Sequence, residues 1–294
     1  MTLAAVFVVL LAPALQSERE ATVKVGDSEI EVTLPTSSLS LSPEQLLGWV
    51  RACAESVADY FGKFPVAKVR LDVSARRGGG IRNGRTYGGQ RIRIQIGTEA
   101  REQDLKDDWV LTHEMCHLAF PDLDTKYAWM YEGYATYVEP IARIRTGRLS
   151  VASMWKETLE GMPKGLPDPG DGGLDGTHSW GRTYWGGAYF WLRADLEIRE
   201  RTKNKASLQT ALRGILAAGG DGTQHWGVDD VIWKGDDATG TTVLRDLYKE
   251  IGQAEFRPDL PALWKRLGVE LRAGEVVFDD QAPEAALRRA LTSK

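Results

Sequence analysis

The apolar residues of this chain change their period once, near residue 100, and that switch limits what it can fold into. Before it, ATVKVGDSEIEVTLP (21–35), KVRLDVSA (68–75) and RIRIQIG (91–97) alternate apolar and polar side chains, as half-buried strands do. The first of them reads as a hairpin around Gly26-Asp27. Beyond residue 100 the period lengthens to that of amphipathic helices, at 103–119, 126–140, 184–201, 206–218, 241–252, 259–268 and 282–292. A short strand is expected at 275–280, and Pro140 should stop or kink the second of these helices. One helix comes early: Ser42 caps it, Pro43 takes its first position, and Leu46, Val50, Cys53, Val57 and Tyr60 form its apolar stripe. Strands gathered at one end and helices at the other predict an α+β fold. We expect one domain over residues 20–294, with a β-rich lobe over 20–100 and a helical lobe over 101–294 around a cleft. At 294 residues and 43% hydrophobic, the chain can bury a large core without a disulfide or metal to staple it.

The first sixteen residues do not belong to that plan. TLAAVFVVLLAPAL (2–15) is apolar, short for a bilayer span, broken by Pro13, and followed at once by polar sequence. Ala12-Pro13-Ala14 offers small residues to a signal peptidase, so we expect a signal peptide over residues 1–16, an exported protein, and no integral membrane association once it is removed. A net charge of -4 gives no reason to expect a nucleic-acid partner. Cys53 and Cys116 read as two small buried hydrophobes rather than a bridge.

Two loops stand out. RRGGGIRNGRTYGGQ (76–90) lies between two strands and lacks the Gly-Lys-Ser/Thr of a phosphate loop, so it reads as a hairpin or cleft-edge segment. MPKGLPDPGDGGLDGTHSWG (162–181) carries Asp168, Asp171 and Asp175 at spacings that miss the calcium-loop pattern and suit turns.

The chemistry gathers in HEMCH (113–117). Four positions apart on a helix, His113 and His117 share one face and can bind one ion through their ring nitrogens. Glu114 points about 100° round the helix, where it can act on a water as general base without displacing it. A catalytic zinc takes three protein ligands and leaves a fourth position open. Glu132 lies on the next expected helix, fourteen residues intervening after His117, and two antiparallel helices can bring all three side chains together. No Cys/His cluster supplies a fourth ligand, which argues against a closed structural site.

LTHEMCHLAF followed by WMYEGYATYVEP resembles the gluzincin zinc metallopeptidases, and within them the aminopeptidase N-like and glycyl-aminopeptidase-like families. Their W-x-x-E-G-x-A-x-Y segment reads here as Trp129, Glu132, Gly133, Ala135 and Tyr137, and TYWGGAYFWLRADLEIRERT (183–202) matches their downstream tyrosine segment. The likeness runs from about residue 105 to 215. It implies a thermolysin-like catalytic domain, one Zn2+ held by His113, His117 and Glu132, a peptide or protein substrate, and Tyr184 as the donor to the oxyanion. Glu139, on nearly the same helical face as Glu132, could accept the free N–H of a ligand histidine. Two departures bear on specificity: the connection to Glu132 is shorter than in typical aminopeptidases, and the G-x-M-E-N segment that holds a free amino terminus is missing, GRTYGGQRIRIQ standing in its region. Exo- and endopeptidase action therefore stay open. A competing reading is a catalytically inactive module that keeps zinc and binds peptides or cell-wall components. Arg182 could meet a substrate carboxylate, while His178 and His225 read as loop histidines.

Overall fold

A computed structural model of the protein describes residues 19–35, 39–176 and 179–293. The expected signal segment and His178 lie outside the described residues. Strands β1 (Arg19–Val25) and β2 (Ser28–Leu34) form the expected hairpin, with Gly26 in the left-handed region at its turn. β2, β3 (Lys68–Arg76) and β5 (Arg91–Gly97) run parallel, and β4 (Ile81–Tyr87) closes the sheet antiparallel to β5. The order β1-β2-β3-β5-β4 leaves β4 on an edge. The alternation seen in the sequence is the burial pattern: Ile30, Val32, Val69, Leu71, Ile92, Ile94 and Ile96 are all buried on one face. Helix α1 (Pro43–Phe61) crosses below, opened by a capping box between Ser42 and Gln45 and ended by Gly62 at φ 84°.

The segment expected as one helix over 103–119 is two. Helix α2 (Glu102–Asp107) stops at Asp108, whose backbone is extended, and α3 (Val110–Cys116) starts beyond it. The Asp108 carboxylate accepts from the Val110 and Leu111 N–H groups at 3.0 and 3.2 Å and from Trp49 Nε1 at 3.0 Å. It caps α3 from within a run that reads as continuous by periodicity alone. Helix α4 (Ala128–Arg145) does not stop at Pro140: it continues to Arg145, because Val138, Ile141 and Ala142 are packed in the core and that packing outweighs the lost hydrogen bond.

Helices α5 (Val151–Gly161), α6 (Gly187–Thr202), α7 (Leu208–Ala217), α8 (Val228–Thr239), α9 (Val243–Leu247), α10 (Leu260–Leu267) and α11 (Ala285–Leu291) follow, with a small hairpin of β6 (Val269–Arg272) and β7 (Glu275–Phe278). α5 and α8 are elements that the pattern does not announce. α5 buries little beyond Met154 and Trp155, and α8 carries four aspartates among its apolar positions. Asp175, in the loop after α5, accepts from Trp129 Nε1 of α4 at 2.9 Å and from the Tyr248 hydroxyl at 2.6 Å. Both cysteines are free and buried, as expected. Among the described residues no helix is long and apolar enough to cross a membrane.

Candidate metal centre

Helix α3 ends at the site. His113 and Glu114 sit in its last turn, and His117 follows where the helix tightens into a 3-10 turn over His117–Ala119. Helix α4 comes back against it carrying Glu132. The Glu132 Oε2 atom lies 3.2 Å from His113 Nε2 and 3.5 Å from His117 Nε2, and the three donor atoms all fall within 4.8 Å of one another. Donors bound to one tetrahedral zinc at about 2.1 Å are about 3.4 Å apart, close to the distance of the carboxylate oxygen from each imidazole nitrogen. His113 is buried, while His117 and Glu132 keep some exposure toward the cleft. Burial alone would push the Glu132 carboxyl up, but the bonds and charges of His113 and His117 overcome it and hold it well below the usual carboxylate range. Burial opposes charge on His117 in the same way, and Glu132 reverses the balance, so its pKa is raised.

Glu114 is buried against the edge strand. Thr86 Oγ1 of β4 lies 2.8 Å from both the Glu114 carbonyl oxygen and its Oε2. Gly84 makes room for this: a Cβ there would stand 2.6 Å from Glu114 Cγ and 2.8 Å from Val110 Cγ1. Periodicity in the sequence points to neither residue, although both belong to the GRTYGG stretch that reads as the cleft edge.

Tyr184 arrives from α6, one turn ahead of it, in a π-helical turn over Arg182–Gly186. Its ring stacks on His113, with centroids 6.3 Å apart and 27° between planes, and on Trp180 at 5.6 Å and 29°. Burial, then the charge of the Glu132 carboxylate and a hydrogen bond to it, then Glu114 raise its pKa, so the hydroxyl stays protonated. What lets α6 approach α4 is a pair of glycines. A Cβ on Gly133 would meet the Gly187 carbonyl carbon at 2.3 Å, and one on Gly187 would meet the Trp129 carbonyl oxygen at 2.0 Å. The cleft is lined by Gly84, Arg85, Thr86, Glu114, His117, Tyr131, Glu132 and Tyr184, and encloses about 460 Å³.

No protein-family model matches this sequence, and no curated protein matches it by sequence. Its backbone does match solved structures. An aminopeptidase N family protein from Idiomarina loihiensis superposes with a TM-score of 0.67 at 15% identity, over 87% of this chain and 50% of that one. An M1 zinc metallopeptidase from Deinococcus radiodurans gives 0.54 at 15% identity, over 83% and 53%. A variant of the Deinococcus enzyme bound to a Tyr-Ser-Ala substrate gives 0.55, over 83% and 54%. The fold is that of the M1 metallopeptidases. The chain spans about half the length of these structures.

Within this M1-like fold the remaining expected residues separate. The buried Glu139 carboxylate takes Arg143 Nη1 at 2.9 Å rather than a ligand histidine, because about two more turns of α4 carry it past the site into the core. Burial raises its pKa to about 8 against the pull of Arg143. Arg182 is also committed elsewhere. It is buried, pairs with Asp171 at 2.9 Å and donates to the Gly165 carbonyl at 2.7 Å, so it fastens the 162–181 loop and cannot meet a substrate. Asp171 and Asp175 both accept hydrogen bonds from protein groups, in keeping with turn chemistry. His225 is exposed beside Asp122, which lies 2.9 Å from its Nδ1. Of the tryptophans, Trp129, Trp155 and Trp191 are core, while Trp109 and Trp180 stand exposed at the site, Trp109 edge-on to His113 at 5.6 Å.

Proposed function

We propose that this chain is an exported zinc-dependent peptidase, with His113, His117 and Glu132 holding one zinc ion and residues 20–294 forming a thermolysin-like catalytic domain. The observation that carries this reading is the spacing of the three donors, 3.2 and 3.5 Å between carboxylate and imidazoles, in a site open to a cleft on one side. Two nitrogens and one oxygen suit zinc, and three protein ligands leave room for solvent. Peptide substrates enter the reading by analogy with the neighbour whose bound ligand is a tripeptide substrate.

When bound, the ion supplies Lewis acidity, making water easier to deprotonate and a carbonyl easier to attack. Glu114 takes the proton from the attacking water and passes it to the departing amine. Thr86 holds the Glu114 carboxylate against β4, so the base does not swing into the ligand set. Tyr184, kept neutral by burial and by Glu132, donates its hydroxyl hydrogen to the oxyanion of the tetrahedral adduct. The N-terminal apolar stretch supports export.

The test is metal content together with turnover. Purified protein should bind about one zinc per chain and hydrolyse peptides, and a chelator should stop hydrolysis. Glu114→Gln should keep the zinc and lose nearly all turnover. A Glu114→Gln protein that hydrolyses peptides at the parent rate removes Glu114 as the base, and a parent protein that takes up no zinc removes the whole reading.

A further inference from the structure

The sheet has a second face, and it is strongly positive where it nears the cleft. On the outer side of β3, β5 and β4, cross-strand partners form two rows: Arg70, Arg91 and Tyr87 in one, Asp72, Arg93 and Arg85 in the other. Two arginine pairs, Arg70 with Arg91 and Arg93 with Arg85, therefore stand directly opposite each other, an arrangement that disfavours the folded state. Among the described residues two carboxylates stand among these four guanidinium groups, Asp72 and Glu31 of β2, the latter directly opposite Arg70. Asp72 meets Arg70 at 2.9 Å, Arg91 at 2.5 Å and Arg93 at only 3.9 Å. The Arg85 and Arg93 guanidinium groups lie 5.3 and 5.5 Å from the Tyr87 ring centroid. The side chains of Arg91 and Arg93 remain 43% and 55% exposed, so water and ligands reach them. All this lies in a protein whose net charge is -4.

This face is continuous with the metal centre. Gly84 and Arg85 line both the cleft that holds Glu114 and the depression on the arginine side. Between the two runs β4, an edge strand of the sheet among the described residues, and the edge of a sheet can take an added strand through its backbone groups. Side chains of such a strand alternate, so every second one turns toward the arginine rows. Nucleic acid or another phosphate polymer would satisfy the charges, but it has no use for a strand edge leading to Glu114. We infer that the outer face of β3, β5 and β4 is a docking surface for an acidic segment of the polypeptide substrate, with Arg85 as its link to the cleft. The inference rests on the peptidase reading and names the substrate class for that site.

Binding and turnover are measured apart, so the two claims can fail separately. A fluorescent peptide rich in glutamate and its glutamine counterpart are titrated into zinc-loaded Glu114→Gln protein and followed by anisotropy. The acidic peptide should bind about tenfold tighter at low salt, the effect of a few exposed charge pairs acting together. That preference should vanish near 1 M salt, where the Debye length shrinks to about 3 Å. In the Glu114→Gln background it should also vanish with Arg91→Gln and Arg93→Gln together, and fall with Arg85→Gln alone, while Arg85→Lys restores it. Equal affinity for the two peptides at low salt overturns the inference, as does a DNA oligonucleotide of the same charge that competes as well as the acidic peptide. Hydrolysis by the unsubstituted protein is scored separately. Turnover with no acidic preference in kcat/KM sinks the docking surface and leaves the peptidase. An acidic preference in binding with no hydrolysis of any peptide sinks the peptidase and leaves an acidic-peptide binding face.

Discussion

Replacing Gly133 with alanine probes the geometry of the centre most directly, because the added methyl touches no ligand. Its Cβ would lie 2.3 Å from the Gly187 carbonyl carbon, 2.4 Å from the Gly187 Cα and 2.7 Å from the Ala188 nitrogen. All three obstacles are backbone, so no side chain can swing away to make room. Carbon atoms rest at about 3.5 Å, so α4 and α6 must move apart by about 1 Å. Overpacking of this kind costs about 1–3 kcal/mol. At about 2–4 °C per kcal/mol for a chain of this size, Tm should fall by about 2–12 °C. The same shift moves Glu132, the residue before the substitution, relative to His113 and His117, and it moves Tyr184 relative to Glu132. A misplacement of about 1 Å can cost about a hundredfold in rate. Calorimetry on zinc-free protein reads the packing term without the contribution of bound metal. Competition against a chromogenic chelator reads zinc affinity, and kcat/KM on a peptide reads the chemistry. If Gly133→Ala leaves the zinc-free Tm unchanged, the close approach of the two helices is not what positions the site.

Tyr184→Phe removes one hydrogen-bond donor and should lower kcat by about a hundredfold or more while zinc stoichiometry stays at the parent value; equal losses of zinc and turnover would mean that the ring only packs. Thr86→Val keeps the shape of β4 but leaves Glu114 Oε2 without its hydroxyl partner, and should cost about 1 kcal/mol of stability along with a reduced kcat; an unchanged kcat would show that Glu114 is held by other contacts. Glu139 gives a pH test. Its folded pKa of about 8 lies above its unfolded 4.5, so the folded state binds the extra proton between those values and stability falls as pH rises through that window. Glu139→Gln should flatten this slope in urea titrations run from about pH 5 to about pH 8, and a slope that survives the substitution assigns it to another group.

Much of this fold can be read from the sequence because the relevant signals are local. The strands at 68–76 and 91–97 alternate so strictly that β3 and β5 could hardly be anything else. His113 and His117 need only helical spacing to share a face, and Glu132 needs only the next helix. What cannot be read is set by contacts distant in sequence. Nothing near Asp108 says that Trp49 and two backbone N–H groups will claim its carboxylate and break the helix. Pro140 reads as a stop or a kink because its cost is local, whereas the core around Ile141 and Ala142 that carries the helix on to Arg145 is not. Glu139 and Arg182 fall within reach of the site by spacing, and only the positions of Arg143 and Asp171 show that both are spoken for. The roles of Gly84 and Thr86 depend on an edge strand lying against α3, which appears once the sheet order is known.

The carboxylate of Asp175 has its own consequence. An indole from the helix that bears Glu132 occupies one of its oxygens, and a phenol from residue 248 occupies the other. The helix that carries Glu132 is thus moored, through a single acidic side chain, to a stretch of chain more than a hundred positions downstream. A shortened protein ending before residue 248 would retain every proposed ligand and yet lose one of the fixed points against which Trp129 is set. Trimming such a chain down to its motif should therefore loosen the motif itself.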